Sequence, residues 1–355
     1  MTGLPLWLLL VLFVAAGAVI WVAGVQLSKS TDVLDDRLHL GSALGGLIVL
    51  AVATNLPEIA ITVTAAASGA VEVAVGNILG GIALQTVVIV LLDLFGKRSK
   101  GAAPLTYRAA SLTLVIEALV VVAVLSVVVA GTQLPKSLDV LRLTPQAVLI
   151  AVVWLVGLFL VRRAGKRLPW HENGNAPDTT PRHSGHRANH TDSSTRKKVS
   201  TRRAALVFAV SAIATLIAGY VLEQAGDAAS SKIGLSGILF GATVLALATS
   251  LPEISTGLQA VRQGDENLAI SDIFGGNGFL PVLFLLAGLI SGKAVLPQAQ
   301  STDIYLTALA ITLSAIYAFG LLFRPKRRVL GMGVDSLLVL VVYLIGVVGL
   351  FAVAK

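Results

Sequence analysis

The sequence predicts an all-α polytopic membrane protein of about ten transmembrane helices, arranged as two five-helix repeats of inverted topology. Three observations predict it. Apolar runs of spanning length recur along the chain, basic residues gather in alternate loops, and one long motif returns after an odd number of spans.

The composition sets the class. The chain has 355 residues, 55% hydrophobic and only 13% charged, with a mean hydropathy of +0.86. Soluble domains carry about 25% charged residues, so most of this chain belongs in lipid. With no cysteine, disulfides, thiolate metal sites and cysteine nucleophiles are excluded. The net charge of +8 does not point to nucleic acid, because the basic residues sit in loops between apolar runs with no aromatic interleaving. They read instead as a topology signal.

The expected spans run over 4–27, 40–67, 73–95, 106–130, 144–161, 204–222, 235–261, 268–290, 304–323 and 329–353. Each is long enough to cross the hydrocarbon, and helices are the default because lipid cannot satisfy an open backbone. The first run has no basic n-region and is too long for a signal peptide. The third loop carries Lys97, Arg98 and Lys100; the fifth carries Arg162, Arg163, Lys166, Arg167, Arg196, Lys197, Lys198, Arg202 and Arg203; the ninth carries Arg324, Lys326, Arg327 and Arg328. All three are odd loops, so that side is expected to be cytoplasmic and both termini outside, in what suits a bacterial plasma membrane. The expected domains are a first repeat over 1–163, a cytoplasmic polar linker over 164–201 and a second repeat over 202–355. The linker lacks the apolar residues to bury a core and is expected to be disordered. Its His171, His183, His186 and His190 are irregularly spaced, which favours a plain linker over a metal or pH-sensing site.

The internal repeat has an offset of 195 residues. GLIVLAVATNLPEIAITVTAAASGAVEVAVGNILGG (46–81) returns as GATVLALATSLPEISTGLQAVRQGDENLAISDIFGG (241–276). Apolar composition alone would align leucines; it would not keep Ala-Thr-x-Leu-Pro-Glu-Ile and the downstream glycines in phase. Because five spans separate the copies, the second enters the membrane from the opposite side, the architecture of many secondary transporters.

The repeated motif carries the chemistry. Glu58 and Glu253 fall in mid-membrane, where a charge costs several kcal/mol unless it faces a cavity or a partner. Pro57 and Pro252 cannot donate a backbone hydrogen bond, so the carbonyls of Ala53 and Ala248 lose their usual partners and are available as hard oxygen ligands for a cation. Thr54 precedes Glu58 by four residues, as Thr249 precedes Glu253, which on a continuous helix places each hydroxyl beside its own carboxylate. The following span brings Asn77 in one half and Asp272 in the other. Glycines 76, 80, 81, 275, 276 and 278 allow close helix approach. Glu117, without a repeat partner, either relays protons or sits hydrogen-bonded. Asp93, Asp303 and Asp335 fall near span ends, where solvation suffices.

On AVATNLPE (51–58) and ALATSLPE (246–253), and on the inverted five-plus-five layout, the chain resembles the sodium/calcium exchanger superfamily of cation antiporters over nearly its whole length. The resemblance implies alternating access with cations bound between the repeats while gating helices slide past. It makes Glu58 and Glu253 the central carboxylate and metal ligands, with Thr54, Asn55, Thr249 and Ser250 at the Thr-Ser positions before them. It also implies no cofactor beyond the transported cations (Ca²⁺, Na⁺, K⁺ or H⁺); the expected partners are the lipid bilayer and inorganic cations, not nucleic acid, with protein partners left open. The sequence departs from the family's Gly-Ser-Asn-x-x-Asn/Asp segments, which here read GGIALQ (80–85) and GGNGFL (275–280). The serines become Gly81 and Gly276, and the terminal polar residues become Gln85 and Leu280, while Asp272 stands at an asparagine position and offers a displaced carboxylate. Ca²⁺ wants six to eight oxygens, so the thinner shell favours monovalent cation/proton exchange, or weak Ca²⁺ exchange.

Three other classes compete. A degenerate, non-transporting sensor or scaffold is favoured by the lost ligands and opposed by the two intact Thr-Pro-Glu motifs. A membrane enzyme lacks a nucleophile–base pair, a metal cluster or a histidine in any span. A passive channel would show no coupling to an opposing gradient.

Overall fold

The computed structural model describes residues 3–38, 50–69, 71–96, 103–109, 111–134, 144–165, 200–233 and 246–353. The elements are α1 (Leu6–Leu38), α2 (Ala51–Thr54), α3 (Leu56–Ala67), α4 (Val71–Phe95), α5 (Leu105–Ala109), α6 (Leu112–Thr132), α7 (Pro145–Ala164), α8 (Thr201–Ile233), α9 (Ala246–Thr249), α10 (Leu251–Gln263), α11 (Glu266–Phe279), a 3₁₀ turn (Leu280–Val282), α12 (Leu283–Ser291), a second 3₁₀ turn (Leu296–Gln298), α13 (Ser301–Phe323), a two-stranded hairpin (Arg328–Val329 with Met332–Gly333) and α14 (Val334–Val353). The predicted all-helical, inverted-repeat class holds. Eight described helical stretches are long and apolar enough to cross a membrane. Among the described residues the second and seventh expected spans break before their prolines, and the eighth is interrupted by the 3₁₀ turn at Leu280–Val282. The linker and its histidines, 166–199, lie outside the described residues, as do 39–49 and 234–245.

The breaks follow from the prolines. In an α-helix Pro57 would leave Ala53 without a donor, and here the chain interrupts at Asn55 (φ −85°, ψ 16°). It interrupts at the matching Ser250 (φ −81°, ψ 4°) before Pro252. Each proline then occupies the first turn of the next half-helix, where no intrahelical donor is required.

Two expected spans prove longer than their apolar runs. α1 and α8 are each 33 residues, about 50 Å at 1.5 Å per residue. They lie antiparallel: Leu9 meets Ala228 and Ala229, while Ala16 and Ile20 meet Ala218 and Leu222. The polar ends persist as helix because small side chains bury there: Ser28, Ser30 and Thr31 in α1, and Ala225, Ala228 and Ser230 in α8. Hydropathy registers apolarity and misses this kind of packing.

The pair crosses over to the other repeat. α1 packs on α10 and α8 packs on α3. Two glycines set the approach, since a Cβ on Gly24 would collide with Ser255, and one on Gly219 would collide with Pro57. They are 195 residues apart, the offset of the repeat. α4 and the α11–α12 segment form the buried centre, whereas α7, α8 and α14 expose most of their surface. Phe159, Ile217, Ile345 and Val348 are among the exposed apolar side chains, a surface suited to lipid.

Contacts between loops obey the predicted parity. Arg108, after the third loop, pairs with Glu266, after the seventh. Arg324, in the ninth, donates Nη2 to Tyr107 O at 2.7 Å. On the opposite face, Lys293 of the eighth loop reaches the Gly69 carbonyl of the second at 3.3 Å.

Candidate functional site

The two breaks meet at the centre of the molecule. Glu58 and Glu253 each lie in the first turn of a half-helix, where the positive end of the dipole favours a carboxylate. The preceding short helices, α2 and α9, bring their carbonyl ends to the same region. Both glutamates are about 1% exposed, and Thr54, Asn55, Gln85, Ser250 and Asp272 are as deeply buried. Oε2 of Glu58 and both carboxylate oxygens of Glu253 lack a hydrogen-bond partner among the described residues. Buried polar atoms are seldom left so.

The hydroxyls are arranged otherwise than the sequence spacing implied. Thr54 does not bond the glutamate of its own repeat. Its Oγ1 lies 3.1 Å from Asp272 Oδ1 and faces Glu253, both in the other repeat. Thr249 in turn faces Glu58. The physical reason is the break itself: Asn55 and Ser250 leave the helical path, so residues four apart no longer stack on one face. Each glutamate therefore faces a hydroxyl of the other repeat, and for Glu253 that approach closes no hydrogen bond.

The remaining contacts are unequal between the halves. In the first, Gln85 Nε2 donates to Asn55 Oδ1 at 3.1 Å and reaches Glu58 Oε1 at 3.5 Å. Asn55 Nδ2 donates to the Ala51 carbonyl at 2.7 Å, and a side chain on Gly276 would run into Asn55. That close approach accounts for one glycine standing where the family has serine. In the second half, Thr256 Oγ1 lies 2.7 Å from Asp272 Oδ2. Asn277 Nδ2 donates to Thr86 Oγ1 across the repeats at 2.9 Å, and its buried Oδ1 has no partner.

The structure thus groups Thr54, Asn55, Glu58, Gln85, Thr249, Glu253 and Asp272, and buries Ser250 at the break before Glu253. It ties Asn77 to none of them by a hydrogen bond; the Nδ2 of Asn77 is buried and unpaired. Thr86, Thr256 and Asn277 join without having been expected. Among the described residues, no three His, Cys, Asp or Glu side chains stand in geometry that could hold one metal ion.

Three acids read as ordinary near span ends are buried: Asp93 is 1% exposed, Asp335 6% and Asp303 8%. Asp303 closes a capping box with Gln300 at the start of α13. Glu117 is 1% exposed and lines a small cavity with Trp154, Gly157 and Phe274; Ser271 is the polar group facing it.

Comparison with known proteins places this architecture. The family described as Sodium/calcium exchanger protein matches residues 8–163 and 203–352. The chain is 26% identical over 328 residues to the putative antiporter CaxA of Alkalimonas amylolytica, covering 90% of this chain and 92% of that one. It is 25% identical over 294 residues to the inner membrane protein YrbG of Escherichia coli, 80% of each. Human sodium/potassium/calcium exchanger 1 is 28% identical over 114 residues, 31% of this chain and 10% of its own length. Among solved structures, the sodium-calcium exchanger NCX_Mj soaked with Na⁺ and Sr²⁺ superposes with a TM-score of 0.64 at 15% identity, over 97% of this chain and 99% of that one.

Proposed function

The chain belongs to the sodium/calcium exchanger protein family, and from that premise we propose that it is a secondary active cation antiporter. Glu58 and Glu253 are its cation and proton ligands, and it works by alternating access between the two repeats. A cation (Ca²⁺, Na⁺ or K⁺) is exchanged against Na⁺ or H⁺. The reading is supported above all by unpaired carboxylate oxygens of Glu58 and Glu253, buried between two symmetry-related helix breaks. A cation entering there supplies the partner these atoms lack, and a proton does so in its absence. Thr54, Asn55, Thr249, Ser250, Gln85 and Asp272 complete the polar shell. Asn77, with its buried Nδ2 unpaired, stands in the following span outside this hydrogen-bonded set. The odd loops face the cytoplasm and both termini face outward, in a bacterial plasma membrane.

One observation favours a second reading, a sensor or scaffold that no longer transports. Leu280 is apolar and fully buried where a family ligand is expected. Flux in proteoliposomes separates the two readings. Purified protein is reconstituted with a pH dye and a Ca²⁺ dye inside, and Na⁺, K⁺ or Ca²⁺ is added outside with and without a proton gradient. An antiporter moves protons or Na⁺ against the added cation, and Glu58→Gln or Glu253→Gln abolishes the movement. Folded protein inert to every cation would overturn the transport reading in favour of the sensor.

A further inference from the structure

A second set of buried oxygens lies away from the repeat axis, where the third and ninth loops meet. Asp93 is eight residues beyond Gln85 on α4, about 12 Å along the helix. Its Oδ1 accepts from Leu105 N at 2.8 Å, and its Oδ2 accepts from Gly333 N at 2.6 Å. The hairpin delivers that glycine. Leu330 (φ 52°) and Gly331 (φ 87°) make a turn with two positive φ values, the kind that closes two-residue hairpins, and Gly333 pairs with Arg328. Two residues on, Asp335 opens α14 with both carboxylate oxygens buried and in no closed hydrogen bond, the amides of Asp335 and Ser336 at the helix start facing it.

The backbone makes room for this carboxylate. A side chain on Gly320 would strike Asp335, and one on Gly333 would strike Asp335 and crowd Asp93 Oδ2 at 3.3 Å. Thr106 Oγ1 is buried without a closed hydrogen bond and faces Asp335. Tyr317, fully buried, lies near both aspartates, with its hydroxyl 3.5 Å from Ser336 Oγ. The basic groups nearby are engaged at the rim. Arg324 and Lys326 lie over the Tyr107 ring, 4.7 and 5.4 Å from its centre, and Arg328 donates to the Gly331 carbonyl.

We propose that Asp93, Asp335 and Thr106 form a second cation site, which takes a hard divalent cation of the Ca²⁺ type and ties the third loop to the ninth. Two carboxylates match the charge of one divalent ion. Each Asp93 oxygen keeps a lone pair beyond its amide bond; together with both Asp335 oxygens and the Thr106 hydroxyl, this supplies most of the six to eight oxygens such an ion takes, water completing the shell. The ion is bound here and not carried, because these groups sit on the span ends and not on the broken helices.

The test uses the full chain, purified in detergent, with Glu58→Gln and Glu253→Gln both present so that the central site is disabled. Tb³⁺, a Ca²⁺ surrogate, is titrated while tyrosine is excited, with Tyr317 as the local antenna. The expected result is saturable emission displaced by Ca²⁺. Asp335→Asn weakens it at least about tenfold through lost ligand charge, and Tyr317→Phe dims it without changing Ca²⁺ competition. Asp335 rather than Asp93 is the variant of choice, because Asp93 also holds two backbone amides; Thr106→Val gives a second, milder check. Absence of saturable emission from protein that elutes as one folded species would overturn the proposal, as would emission indifferent to both Asp335→Asn and Thr106→Val. Since the central glutamates are already removed, failure here leaves the antiporter reading intact, and an inert wild type in flux assays leaves this site intact.

Discussion

The third and eighth spans occupy equivalent places in the two repeats and do different work. α4 runs unbroken for 25 residues and presents Gln85, an amide that braces Asn55 and reaches Glu58. Its counterpart gives way to a 3₁₀ turn at Leu280–Val282, at the position that matches Gln85. The eighth span makes its polar contribution elsewhere, through Asp272 two turns earlier and Asn277 one turn earlier. The third span therefore supplies one amide to the shell, and the eighth supplies a carboxylate and an amide at other levels. A repeated fold preserved the two glutamates and their helix breaks while the rest of the polar shell became lopsided.

Removing the central charges breaks the comparison outright. Glu58→Gln and Glu253→Gln are expected to abolish coupled flux alike, since each removes one of the two carboxylate charges that would hold the cation. If one variant retained flux, the two halves would differ at the glutamates as well. Next comes Asp272→Asn, which makes the second half match Asn77 in the first. It should weaken cation affinity by about tenfold or more through lost charge, read from the half-saturating cation concentration of flux, whereas Asn77→Asp should not repair it.

Packing supplies a control that ought to be symmetrical. Gly24→Val and Gly219→Val place side chains against Ser255 and Pro57, and each should destabilise by about 1–3 kcal/mol, seen as matching drops in melting temperature in detergent. The smallest effects test the lopsided shell. Gln85→Leu, which copies Leu280, leaves Asn55 Oδ1 without its donor and should cost about 1–3 kcal/mol. Thr86→Val loses the Asn277 bond and should cost about 1 kcal/mol, both read from thermal unfolding.

What was legible in the sequence was whatever the repeat preserved. Thr54, Pro57 and Glu58 stood out because Thr249, Pro252 and Glu253 answer them, and the prolines marked the breaks to within two residues. Gly24 and Gly219 obey the same offset and were readable in principle, though glycine in an apolar run carries little signal alone. Thr86, Thr256 and Asn277 have Pro281, Ile61 and Ile82 at the matching positions, so periodicity had nothing to say about them. Thr54 was assigned to its own glutamate because stacking of residues four apart presumes a continuous helix. Asp93 and Asp335 looked ordinary because a span end is usually wet; the hairpin that covers them pairs through backbone groups, which leave little trace in side-chain pattern.

The exchange of hydroxyls across the interface has a consequence for ancestry. A lone five-helix unit would hold a buried glutamate and, facing away from it, a threonine meant for someone else. It becomes complete only beside an upside-down copy of itself. A gene encoding one such unit would have had to insert its product in both orientations and assemble the two as a dimer. In a fused chain each orientation can change its sequence alone, and the divergence of Gln85 from Leu280 is what that freedom permits.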